Sequence, residues 1–206
     1  MKRDKLKYTS DIAFTPSVKA IQEKFHSRSS YAHMEQSGGW QSDITPQLTQ
    51  FLSMMDSFYL STSNASGQPY TQHRGGPKGF LKVIDNKTLA FADFSGNRQY
   101  ITTGNLSDND KAFIFLMDYP SQTRIKIWGT AKVVEDDKEL LESLSNASYK
   151  AKLERVIVFS VEAWDINCRQ HIKQRFTQED IKGITEPLEK KVLELETIIN
   201  NHNIKL

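Results

Sequence analysis

The chain carries a single cysteine among its 206 residues, Cys168, so it can close no disulfide within itself and cannot build a zinc site from thiolates. That usage fits a reducing compartment. Long apolar runs are missing as well: no stretch approaches the ~18 residues that cross a bilayer. Met1 to Lys7 is basic but leads into polar Tyr8-Thr9-Ser10, which does not read as a secretory signal. A cytoplasmic protein with no membrane partner is expected. Charge of one sign is lacking too. Lys and Arg number 27 against 25 Asp and Glu, a formal net charge of +2, and the signs are interleaved. Without a basic stripe, nucleic acid is not the expected partner.

Familiar catalytic signatures are also absent. No Gly-x-Gly-x-x-Gly follows a strand, which removes the dinucleotide fingerprint. Gly75-Gly76-Pro77-Lys78-Gly79 has the composition of a phosphate loop without its spacing or trailing hydroxyl. The histidines, His26, His33, His73, His171 and His202, form no His-Glu-x-x-His pair. Cys168 and His171 have ligand-like spacing but no further ligand nearby, so no metal is expected. The same two residues as a nucleophile pair compete with a plain buried thiol, the commoner role of a free cysteine. No catalytic acid or base is assigned.

What is present is a change of period along the chain. Val18, Ile21 and Phe25 recur at helical steps from Ser17 until Gly38-Gly39, and Thr45-Pro46 caps a second helix with Leu48, Phe51, Leu52 and Met55 on one face. Extended segments follow: Phe58 to Ser63, Tyr70 to Arg74, Phe80 to Ile84, Thr88 to Ala92, Ala112 to Met117, Arg124 to Val134 and Arg155 to Val161. In the sixth, Ile125, Ile127, Gly129 and Ala131 fall on one face and Arg124, Lys126, Trp128, Thr130 and Lys132 on the other. A short helix is expected near Lys138 to Leu144. From Ile184, Leu188, Val192, Leu195 and Ile199 repeat at helical spacing, a stripe suited to docking on its own domain or a dimer mate. Many hairpins with few helices make a mainly β (α+β) barrel or sandwich the expected class.

Two segments suit an anionic, planar ligand. In His73 to Phe80, glycines let backbone amides come close while Arg74 and Lys78 can neutralise a phosphate. Asp93 to Leu106 leaves a strand through Gly96 and enters a helix, which puts amides, Asn97 and Arg98 at a helix N-terminus. From spacing alone, two polar turns with solvated charges explain the same residues.

Gln72-His73-Arg74-Gly75-Gly76-Pro77-Lys78-Gly79-Phe80 and Leu89-Ala90-Phe91-Ala92-Asp93-Phe94-Ser95-Gly96-Asn97-Arg98-Gln99-Tyr100 resemble the pyridoxamine 5′-phosphate oxidase-like family of FMN-binding split barrels. The likeness continues through Gly104-Asn105-Leu106, Phe115 to Pro120 and Ile125 to Gly129, and closes with Trp164 to Ile172, covering roughly residues 40–180. It implies an antiparallel split β-barrel with flanking helices, and a homodimer with FMN at the interface. The domain organisation expected is an N-terminal arm and helix over 1–40, the FMN-binding barrel over 41–180 and a C-terminal helix over 181–206.

The cofactor-binding residues the resemblance implies are Arg74, Gly76, Pro77, Lys78, Gly79, Phe80, Asp93, Asn97, Arg98, Gln99, Asn105, Lys126, Trp128, Asn167, Gln170 and His171. Arg74, Lys78, Asn97 and Arg98 would serve the phosphate, and Asn167, Gln170 and His171 would reach the flavin. Two departures stand out. Arg169 occupies the place of a proline in the last block, and the chain ends in Asn203-Ile204-Lys205-Leu206 where the true oxidase carries an Arg-rich substrate grip. Vitamin B6 oxidation is therefore not expected. The expected activity is a flavin-dependent oxidoreductase with a small-molecule substrate or electron donor. The alternatives are a non-catalytic FMN carrier or redox sensor, a haem- or deazaflavin-binding barrel, and a plain interaction domain.

Overall fold

The computed structural model describes residues 7–145, 149–167 and 169–201. Its elements run α1 (Pro16–Lys24), α2 (Arg28–Gln36), α3 (Pro46–Met54), β1 (Ser57–Ser63), β2 (Pro69–Gly75), β3 (Lys82–Val83), β4 (Thr88–Phe94), α4 (Ile101–Asp108), β5 (Lys111–Asp118), β6 (Thr123–Val134), α5 (Lys138–Ser143), β7 (Leu153–Asn167) and α6 (Gln178–Asn201). The strands form one seven-stranded antiparallel sheet in the order β2-β1-β5-β6-β7-β4-β3.

Period-two alternation sets which face is inside. Leu60, Ile114, Leu116, Ile125, Ile127, Ile157 and Phe159 are buried, while Lys126, Trp128 and Thr130 turn outward. A flat sheet would hold β1 and β4, four places apart, about 19 Å from each other at ~4.8 Å per strand. Yet the rings of Phe58 on β1 and Phe91 on β4 meet edge to face at 5.0 Å. The sheet therefore curls on itself, and its core is the space enclosed. Closure leaves a seam where edge strand β2 approaches β4, bridged by the ion pair of Arg74 with Asp93. The curl is eased by a register shift at Trp128/Gly129, where a Cβ on Gly129 would lie 2.0 Å from the Ser160 carbonyl oxygen. This is the α+β split-barrel architecture that the family resemblance implies, and it decides between the barrel and the sandwich that the pattern of hairpins left open.

Local chemistry explains where elements begin and end. Thr45 Oγ1 accepts from Leu48 N at 3.3 Å and Pro46 opens α3, which buries Leu48 and Leu52, with Met55 buried at its C-cap. Asn64 Oδ1 accepts from Ser66 N and Gln68 N to shape the first hairpin turn. The helix expected from Ser17 to Gly38 is two helices instead. His26 turns left-handed at φ 59 and Ser27 N bonds back to Gln22 O at 2.8 Å, which closes α1. Its apolar residues Val18, Ile21 and Phe25 lie exposed, and Gln22 is the buried one. The strand expected over Phe80 to Ile84 shrinks to Lys82–Val83 because Phe80 N bonds to Pro77 O within a turn through left-handed Gly79.

The segment before α3 is fastened to the sheet. Gln41 exchanges backbone hydrogen bonds with Trp164, and Trp164 Nε1 donates to Asp43 O at 2.8 Å. Trp40 then stacks on Trp128 at 4.5 Å. Nearby, Arg28 donates to Gln22 Oε1 and to buried Glu35, which also accepts from Ser10 Oγ. Lys19 bonds Asp11 at 2.6 Å and lies 3.8 Å from Glu35.

The chain divides into two compact units, Met1–Met117 with Arg124–Cys168, and Asp118–Thr123 with Arg169–Leu206. In the second, Gln174 Nε2 donates to Pro120 O and Arg175 lies over the Tyr119 ring at 4.9 Å. Its helix α6 is capped by Thr177, starts earlier than the Ile184 stripe, and buries none of its residues. Among the described residues, no helix is long and apolar enough to cross a membrane.

Candidate functional site

Helix α4 lies against the seam and is riveted there by polar side chains. Asn105 Nδ2 donates to Thr62 Oγ1 on β1 at 2.9 Å, with both residues buried. Thr102 Oγ1 donates to Gln72 Oε1 on β2 at 3.0 Å, and Arg155 Nη1 on β7 donates to Thr103 Oγ1 at 3.3 Å. The N-terminus of α4 is thus held at one place. It is also uncapped: Tyr100 at the N-cap is left-handed, φ 53, and its side chain makes no cap hydrogen bond. The first-turn amides of an α-helix have no acceptor inside the helix, and they carry the positive end of its dipole.

A cavity of about 260 Å³ opens at this helix end, lined by Tyr70, Gln72 and Arg74 from β2, Asp93 and Phe94 from β4, Gly96 to Tyr100 from the connecting loop, Ile101 to Thr103, and Glu154. Tyr70, Gln72 and Arg74 share one face of β2 because side chains alternate. Arg74 and Arg155 meet Asp93 from two sides, Arg74 in a short ion pair and Arg155 Nε at 3.7 Å. The Nε atoms of both arginines are buried with no hydrogen-bond acceptor. Buried donors left without acceptors are costly, by about 1–3 kcal/mol each. The loop above them holds Arg98 and Tyr100 left-handed, at φ 58 and φ 53. For residues with a Cβ that conformation costs roughly 1–2 kcal/mol each, and such strain gathers at ligand clamps. Arg98, amides at a helix end and a buried donor lacking an acceptor have the chemistry to hold an anion.

Residues 44–168 match the family model described as pyridoxamine 5′-phosphate oxidase. The chain belongs to the pyridoxamine 5′-phosphate oxidase family. No curated protein matches it in sequence. Among solved structures it is similar to HupZ of Group A Streptococcus, 18% identical over 64% of this chain and 99% of that one, with a TM-score of 0.46. A protein related to general stress protein 26 from Clostridium acetobutylicum is 15% identical over 66% and 94%, at TM-score 0.47. An FMN-binding protein from Syntrophomonas wolfei is 14% identical over 74% and 97%, also at 0.47. The family model ends at 168, so α6 lies outside it.

Of the residues singled out from sequence, Arg74, Asp93, Asn97, Arg98 and Gln99 converge on the cavity. Asn105 stands behind it as an anchor of α4. Gly76, Pro77, Lys78, Gly79 and Phe80 are not in the lining. They form a turn beneath α3, with Gly76 N on Asp56 O, Gly79 N on Met55 O and Phe80 packed on Phe58. Lys126 and Trp128 point from the outer face of β6, where Trp40 covers Trp128 and Lys126 pairs with Asp165 at 3.2 Å. Asn167 ends β7 opposite Arg124. Gln170 and His171 belong to the second unit, and Cys168 lies outside the described residues.

Sequence reasoning missed Tyr70, Glu154 and Arg155, and placed Tyr100, Thr102 and Thr103 in the right segment without giving them a role. Alternation from Arg74 back to Gln72 and Tyr70 would have found the first, and the first-turn hydroxyls a role for the threonines. Arg155, 62 positions after Asp93 (155 − 93), gave no local signal.

Proposed function

We propose that the chain is a flavoprotein that holds FMN by its phosphate in the seam, and that it works as an oxidoreductase on a small molecule. One observation carries this reading: a buried guanidinium nitrogen without an acceptor, Nε of Arg74, stands beside an uncapped helix N-terminus in one cavity. A phosphate monoester offers what these groups lack, several strong acceptor oxygens and negative charge. Arg74 and Arg98 would neutralise it, and the amides of Ile101, Thr102 and Thr103 would bind its oxygens. Asn97, Gln99 and Gln72 carry amides that both donate and accept, as the polar edge of a flavin requires. Once bound, FMN supplies hydride or electron transfer, with a nicotinamide or another small reductant as donor.

A cavity of about 260 Å³ falls short of the roughly 300–1,000 Å³ that buries a whole small ligand. It suits the phosphate and its tether, and the ring needs a further wall. A second copy of the chain is the proposed source. The outer face of β1 and β5 carries Tyr59, Phe113 and Phe115, an aromatic surface of the kind that homodimers bury.

The test is the visible spectrum of the purified protein, with the released chromophore identified by mass and the oligomer by light scattering. A two-banded flavin spectrum with about one FMN per chain, on a dimer, is the expected result. A colourless protein that also refuses added FMN would overturn the reading.

A further inference from the structure

We propose that Arg155 is a positioning residue that makes this site select phosphorylated ligands, a role that rests on the FMN reading above. The side chain is 11% exposed and stands behind the cavity, where it meets the helix end, the Tyr100 ring and Asp93. Nη1 donates to Thr103 Oγ1 at 3.3 Å and so grips the first turn of α4. The guanidinium lies 5.0 Å from the centre of the Tyr100 ring, the left-handed residue that opens that helix. Nε stands 3.7 Å from Asp93 Oδ2, and Asp93 in turn holds Arg74. Glu154 at 3.2 Å and Glu135 at 3.6 Å complete its surroundings.

This charge is already offset by three carboxylates, so Arg155 adds little to the net attraction for an anion. Its contribution is geometric. One rigid fork ties strand β7 to the helix end, to the strained loop and, through Asp93, to the phosphate-facing arginine. Lysine keeps the charge but has no planar fork and cannot hold Thr103, Asp93 and the Tyr100 ring together. A ligand's ring gains nothing from this arrangement; only its phosphate does.

The experiment compares FMN with riboflavin, which lacks the phosphate, by fluorescence titration of the wild type, Arg155→Lys and Thr103→Val. Thr103→Val breaks the same contact from the helix side and leaves the barrel's ion pairs intact. FMN affinity should fall about tenfold in either variant, the worth of one hydrogen bond to a charged group, while riboflavin affinity stays unchanged. An FMN-to-riboflavin ratio that stays at the wild-type value in both variants would overturn the role, as would equal losses for both ligands, which mark simple packing. Calorimetry with inorganic phosphate separates this inference from the one it rests on. A wild type that takes phosphate but neither flavin, with weaker phosphate binding in both variants, overturns the FMN reading and keeps the role of Arg155. A wild type that takes none of the three overturns both.

Discussion

The charge cluster of the N-terminal helices and the charge cluster of the barrel seam use the same residue types and end in opposite states. Around Glu35, Arg28 spends its guanidinium on Glu35 and Gln22, Ser10 donates to the remaining carboxylate oxygen, and Lys19 bridges to Asp11. Among the described residues these partners all sit within the segment from Tyr8 to Glu35, so the cluster is closed. Around Asp93, Arg74 and Arg155 converge on one carboxylate and still bury Nε atoms with no acceptor, beside a helix end with no cap. That cluster is open. Charged residues mark both places equally, and incomplete satisfaction marks only one as a site for something else.

The comparison can be broken at either end. Replacing both Arg74 and Arg98 by alanine should have the largest effect: two charged hydrogen bonds, about 1.5–3 kcal/mol each, correspond to at least a hundredfold loss of FMN affinity by titration. Next comes Glu35→Ala, which removes a buried carboxylate and strands the half-buried Arg28. A loss of roughly 3 kcal/mol in stability is expected from breaking a buried pair, read by denaturant unfolding, with FMN affinity unchanged per folded molecule. Thr102→Val removes the rivet to Gln72 and should lower stability by about 1 kcal/mol, while loosening the helix end enough to weaken FMN measurably.

The smallest effect is a pH dependence within the closed cluster. Burial alone would raise the pKa of Asp11, but hydrogen bonds from Lys19 and the Tyr8 amide outweigh it and hold the carboxyl below its usual 3.8. A carboxyl lowered on folding contributes stability that is complete above its unfolded value and lost as pH falls through the folded one. Acid titration should therefore leave the 8–35 segment intact until the pH drops below 3.8, and Asp11→Asn should remove that transition. An unchanged acid profile in the variant would assign it to other carboxylates.

Legibility in the sequence followed the range of the interactions involved. The Thr45-Pro46 helix start and the alternation of Arg124 to Val134 were readable because a cap spans three residues and a strand face repeats every second one. Arg98 and Asn97 were readable as the loop ahead of a helix. The role of Gly76 and Gly79 was not. Their spacing suits a phosphate loop equally well, and the competition was settled by Met55 and Asp56, whose carbonyls take the two amides. Trp128 likewise offered a ring face, and Trp40, far along the chain, stacked on it.

A mainly β (α+β) class followed from hydrophobic period and turn chemistry, and the family with its split barrel from the order of the sequence blocks, all of which are local properties. Tertiary structure alone decided which of the candidate residues meet. Closure of the sheet brings β2 to β4, which lets Asp93 stand between Arg74 and Arg155 and leaves two donors without acceptors. Whether a buried group finds its partner depends on three-dimensional distance, and no local pattern of residues encodes that.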